Sequence, residues 1–214
     1  MIQVGALREI WRISRMEFAF ALIAMWGPIG LGVLNGVVIA IGATLFYLLR
    51  KMMYPRYAML GRIPGRGGFY KLHRNPEARP VPGLAICLIQ GSLLFFNSDT
   101  MRARLRAFAA ELPPDTHWLV LDAGAIVQVD STAAAMLDEL RAELAAQGIA
   151  LGLADLHFDV RALLDRAGVT GRIGPDMIFN GLDGALRAFE ATARGGQDHG
   201  DEPKSPAEAA VGGP

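Results

Sequence analysis

Between residues 18 and 49 the chain carries 32 residues without a single Asp, Glu, Lys, Arg or His. That is well past the ~18 consecutive apolar residues that argue for a membrane-crossing segment. It also exceeds the ~7–15-residue apolar stretch of a secretory signal. As one straight helix it would reach about 48 Å at ~1.5 Å per residue, against a hydrocarbon core of ~30 Å. Gly27-Pro28, Gly30, Gly32 and the turn dipeptide Asn35-Gly36 offer breaks. The pattern predicts a transmembrane helical hairpin over residues 18–51, with arms at about 16–31 and 34–51. Each arm is short for a full span, so tilt, thinning or a re-entrant path is needed. One kinked span is the other reading.

Charge sets the expected topology. Arg8, Arg12 and Arg15 precede the run; Arg50, Lys51, Arg56, Arg62 and Arg66 follow it with no acid among them. Positive residues at both ends place both ends in the cytoplasm, which calls for an even number of crossings. The expectation is a multi-pass protein of the inner (cytoplasmic) membrane. Tyr47, Tyr54 and Tyr57 suit an interfacial aromatic belt.

Beyond the run the chain divides by composition. Residues 1–17 are a basic flank and residues 52–68 a linker rich in Gly and Pro. Residues 69–194 alternate short apolar strands with amphipathic helices, which predicts an α/β domain: a mixed sheet with helices packed on it. In that domain Phe69-Tyr70-Lys71-Leu72 suits an edge strand. Strands are also expected at 84–89, 93–96, 118–121, 149–154 and 177–179. Met101, Leu105, Phe108 and Leu112 share one helical face, and so do Met136, Leu137, Leu140 and Leu144. Val160, Leu163, Leu164 and Ala167 form a third stripe, and Leu182, Ala185, Leu186 and Phe189 a fourth. Gly148 and Gly168 stand at helix stops. Asn97 or Ser98, and Asn180, stand at helix starts. Residues 195–214 hold no aromatic residue and cannot bury enough apolar area to offset their ordering entropy, so they are expected to be disordered.

The candidate site is the loop between the strand at 118–121 and the helix that follows. It holds Asp122, Asp130, Ser131 and Thr132 where a helix presents orphan N–H groups and its positive dipole end. Ser131 or Thr132 can cap that helix. Asp122 either accepts loop N–H groups or marks a ligand edge at a strand end. Arg102, Arg104 and Arg106 either meet anionic lipid headgroups or form a solvated helix face.

Several function classes find no support. Lys and Arg total 21 against 21 Asp and Glu, so a nucleic-acid partner is not expected. Cys87 is the one cysteine, which excludes an intrachain disulfide and a thiolate metal cluster. His73, His117, His157 and His199 show no metal spacing, and Gly65-Arg66-Gly67-Gly68 lacks the lysine and helix of a phosphate loop. No metal, no cofactor and no enzymatic activity are expected.

The order of features carries a resemblance. Leu60-Gly61-Arg62-Ile63-Pro64-Gly65, Pro82-Gly83-Leu84, the strand ending Leu121-Asp122-Ala123 and Val129-Asp130-Ser131-Thr132 together resemble the C-terminal part of SulP-type (sulfate permease-like) anion transporters. Residues 69–194 resemble a STAS domain, the module shared with anti-sigma factor antagonists, and the apolar hairpin resembles the last two membrane helices before it. The resemblance implies a cytoplasmic regulatory STAS domain whose partners are membrane lipid and the remaining transporter helices or a split-transporter subunit. A second copy of the chain and a regulatory protein are further expected partners. It also implies about fourteen membrane helices in a whole transporter, with the substrate site between broken helices. This chain alone is therefore expected not to transport, whether it is a fragment, a truncated product or a split subunit. By alignment with Asp-Ser-Ser in the antagonists, Thr132 takes the phosphoacceptor place, although Ala133 replaces the usual glycine. The alternative reading is a membrane-tethered signalling module of the antagonist type, nucleotide binding included.

Overall fold

The computed structural model describes residues 32–197. Its chain divides after Tyr54 into two units.

In the first unit, helix α1 (Val33–Met53) has 21 residues. At ~1.5 Å per residue it is about 32 Å long, enough for one crossing of a ~30 Å hydrocarbon core. The second expected arm is thus longer than anticipated, and long enough to cross without thinning. Its N-cap is Gly32, at φ +82°, a backbone conformation that glycine adopts without steric cost. Asn35-Gly36 makes no turn: the Gly36 N–H donates to Gly32 O at 3.0 Å, inside the first helical turn. Apolar flanks carry the helix through the dipeptide. Leu34, Val38, Ile41 and Phe46 are exposed on the helix surface. Thr44 turns its hydroxyl back onto Ala40 O at 2.8 Å, which satisfies it inside the apolar stretch. Arg50 and Lys51 stand in the last turn, where cations suit both the helix dipole and a membrane exit. The first expected arm, the flank at 1–17 and therefore the hairpin lie outside the described residues.

The second unit is a six-stranded mixed sheet in the order β2-β1-β3-β4-β5-β6. Its strands are β1 (Arg56–Gly61), β2 (Tyr70–Lys71), β3 (Leu84–Gln90), β4 (Trp118–Ala125), β5 (Ala150–Ala154) and β6 (Ile178–Phe179). β1 runs antiparallel to both β2 and β3, and β3 to β6 are parallel. Helices α2 (Ser98–Ala110), α3 (Ser131–Ala146), α4 (Phe158–Arg166) and α5 (Val169–Ile173) make the connections, and α6 (Leu182–Gln197) closes the chain.

Side-chain alternation splits the sheet into two faces. Ala85, Cys87, Ile89, Leu119, Leu121, Leu151 and Leu153 meet α2, α3 and α4 through Met101, Leu105, Met136, Leu137, Leu140, Leu144 and Leu164. Leu84, Ile86 and Val120 on the opposite face meet α6 through Leu182, Ala185 and Leu186. The central strands read as unbroken apolar runs because both faces are covered.

Three expectations are corrected here. The segment 52–68 is no mere linker, since β1 lies within it and buries Ala58 and Leu60 between β2 and β3. Pro and Gly around β1 mask that alternation. Gly61 is there because a side chain would strike Arg79 O, where the backbones of Arg62 and Arg79 bridge. The stretch 93–96 is no strand either; it keeps one bridge, Leu93 to Val129. Buried Asn97 curls it into a turn, its Oδ1 accepting from Leu94 N at 2.9 Å and its Nδ2 donating to Ser92 O at 3.0 Å. Finally, α6 runs to Gln197, past the expected boundary at Arg194, and starts at Leu182, two residues after Asn180. Residues 198–214 lie outside the described residues.

Candidate functional site

The carboxyl ends of β3, β4, β5 and β6 share one edge, so the loops that leave them are neighbours. Asp130 stands at the middle of this edge. It is the N-cap of α3, with extended backbone (φ −113°, ψ 179°), and its Oδ1 accepts from Ala133 N at 2.9 Å. Its Oδ2 accepts from Phe95 N at 2.6 Å, tying the loop after β3 to the start of α3. The cap is therefore neither Ser131 nor Thr132. An N-cap oxygen must reach the N–H three residues on, and from Asp130 that partner is Ala133. A carboxylate also serves two N–H groups at once and gains from the helix dipole. Ser131 and Thr132 fill the first two helical positions, exposed, and their hydroxyls have no partner among the described residues.

Asp122 lies within β4, partly buried, and its Oδ1 accepts from Gly124 N at 3.0 Å. Burial raises its carboxyl above the ordinary range, the nearby Asp155 charge adds to that, and the Gly124 N–H opposes it. On adjacent β3, Cys87 is fully buried. Burial, with the Asp122 charge behind it, pushes its thiol up to about 12, so it supplies no thiolate near neutrality. Asp122 and Asp130 come to one edge, but the charge that acts on Asp122 is Asp155.

Sequence reasoning missed Asp155. It is the residue after β5 and the one described non-glycine residue with positive φ, +56°. With Gly124, His157, Arg161, Phe179 and Asn180 it lines a cavity of about 380 Å³. His157 Nε2 is 2.8 Å from Gly124 O, so the imidazole is anchored to the end of β4. A usable signal was present: Asp122 pairs in register with Ala154, so an aspartate following that strand falls beside it. The cavity joins carboxylate, imidazole and guanidinium, a mixed polar lining. No group of metal-binding side chains occurs among the described residues.

The basic trio separates. Arg102 pairs with Glu139 and, at 3.7 Å, with Glu143. Arg106 makes a two-pronged contact with Glu143, its Nε 2.5 Å from Oε2. That hydrogen bond, ahead of the opposing burial effect, lowers the Glu143 carboxyl. These two arginines join α2 to α3. Arg104 turns the other way, donating to Pro55 O at 3.0 Å with its guanidinium 5.9 Å from the Tyr57 ring centre.

Comparison with known proteins adds to this geometry. The STAS domain family matches residues 75–185. A probable sulfate transporter of Mycobacterium tuberculosis is 35% identical over 189 residues, covering 88% of this chain and 34% of the relative. The probable sulfate transporter 3.3 of Arabidopsis thaliana is 30% identical over 175 residues, covering 78% of this chain and 28% of the relative. The chain thus spans about a third of the length of the curated relatives it matches. Among solved structures, the murine Solute Carrier 26 family member A9 anion transporter in the inward-facing state superposes with a TM-score of 0.77 at 18% identity. That superposition covers 86% of this chain and 30% of the transporter, and it shows a shared fold.

Proposed function

The chain belongs to the STAS-domain family, and from that premise we propose that it forms a membrane segment and the regulatory, cytoplasmic STAS domain of a SulP-like transporter for sulfate or a related anion. One observation carries the reading. The likeness to a probable sulfate transporter covers 88% of the chain, a span too long to leave α1 out. In this reading the protein is a multi-pass protein of the inner membrane. It works with further transporter helices, with surrounding lipid, and with a second copy or a regulatory protein docked on the STAS domain. It moves no anion alone, since the probable sulfate transporters it resembles are about three times as long.

The regulatory loop in this reading is Asp130, Ser131 and Thr132. Asp130 holds the helix start, which leaves the exposed Thr132 hydroxyl for modification. A phosphate there would add ~1.5–2 negative charges at a helix N-terminus that favours them, beside a carboxylate that opposes them. The expected result is a change in docked partner with little change in fold. Asp122 we assign to holding the end of β4 rather than a ligand, because it already accepts the Gly124 N–H.

The test is reconstitution of the chain into liposomes. The expected outcome is a chain that resists alkaline carbonate extraction and takes up no more sulfate than empty vesicles. Release by carbonate, or uptake above the empty vesicles, contradicts the reading.

A further inference from the structure

A second concavity, of about 350 Å³, opens beside β1 and β2. Arg56, Lys71, His73, Arg74, Gln90 and Arg104 line it, and no carboxylate does. Elsewhere in this unit several arginines meet acids: Arg102 and Arg106 on Glu143, Arg141 and Arg172 on Asp138, Arg161 on Asp165. Here a neutral group holds Lys71, and neutral groups are among the partners of Arg104. Lys71 Nζ donates to Gln90 Oε1 at 2.9 Å. Arg104 donates to Pro55 O and lies against the Tyr57 ring. Arg56 and Arg74 have no carboxylate partner among the described residues.

Positive side chains gathered around one hollow repel one another, and a bound anion removes that cost. The form of the donors narrows its class. Guanidinium forks and an ammonium around one hollow suit a group with several acceptor oxygens and more than one negative charge. A carboxylate offers two oxygens, and a halide offers no directed acceptor. We propose that this basic concavity binds a tetrahedral oxyanion group, sulfate or a phosphate monoester, either free or as a lipid headgroup. The lipid source is open to it because Arg56 follows Met53, the last residue of α1, by three positions. The free-anion source needs only the α/β unit, so the site stands apart from the transporter reading.

The test uses the full chain in phosphatidylcholine nanodiscs, titrated calorimetrically with inorganic phosphate and with sulfate. Saturable binding is expected, weakened by added NaCl as screening requires. Arg56→Gln and Arg74→Gln should each weaken it about tenfold or more, and Arg187→Gln should leave it unchanged. A second set of discs contains phosphatidic acid. Loss of phosphate binding in those discs identifies the headgroup as the occupant, and so does a melting temperature raised by phosphatidic acid in the native chain but not in the double variant. Equal phosphate affinity in both kinds of disc identifies a free anion. The proposal is overturned by binding that the double variant retains in full. It is equally overturned if no phosphate or sulfate binds and phosphatidic acid leaves the melting temperature unchanged. None of these outcomes bears on sulfate uptake or carbonate extraction, so failure here and failure of the proposed function are told apart.

Discussion

Asp130 holds two loops with one carboxylate, and its neighbours Ser131 and Thr132 hold none. Asp130→Ala should therefore cost about 1–3 kcal/mol, a cap plus a second charge-assisted hydrogen bond. Thr132→Ala should stay within ~0.5 kcal/mol, as an exposed substitution does. Chemical denaturation of the two variants in detergent decides it, and equal losses would return the cap to Thr132. The sequence reading offered Ser131 or Thr132 as the cap; Asp130 beside them is as good a cap by residue type, and only its extended backbone selects it. Asp122 gives a pH prediction. Its folded pKa lies above the ordinary 3.8, chiefly through burial. The fold thus favours the neutral carboxyl, and that contribution is present below the ordinary value and lost as pH rises through the raised one. Asp122→Asn stays neutral and keeps an oxygen for the Gly124 N–H. Its stability relative to the native chain should be level in acid and grow in the variant's favour toward neutrality. A difference that is flat or opposite in sign across that range contradicts the burial argument.

At the scale of elements, long apolar stripes were legible and short strands were not. The stripes of α2, α3, α4 and α6 each recur over two or more turns, so a few residues suffice to reveal them. β1 has six residues between Pro55 and Gly65, and local composition there says loop while pairing to β3 says strand. Tertiary pairing prevails because β1 covers the edge of β3, which would otherwise leave a row of backbone groups unpaired. A fragment covering residues 69–197 should consequently be less soluble and poorly dispersed in amide NMR spectra, while residues 55–197 should give sharp, dispersed resonances. Equal quality from both fragments would mean that β1 is dispensable. The break in the apolar run shows the same limit from the other side. Asn35-Gly36 is a strong turn signal in isolation, and the helix absorbs it, the Gly36 N–H donating to Gly32 O within the first helical turn.

For the whole molecule, the central claim is that an α/β unit with four parallel strands and a 21-residue apolar helix forms the regulatory end of an anion transporter. Fold class followed from alternating strands and helices, and family followed from the order of motifs across the chain. The edge site was only half legible: Asp122 and Asp130 lie in one sequence window, whereas Asp155 reaches the same edge through strand register. A chimera tests the claim most directly. The aligned third of the Mycobacterium tuberculosis probable sulfate transporter is replaced by this chain, and sulfate uptake is measured in cells lacking their own sulfate uptake. The account predicts uptake well above that of the transporter truncated at the same point, and sensitivity to Thr132→Glu in the grafted segment. Uptake no higher than the truncated transporter's, from a chimera present in the membrane at equal amount, would contradict it.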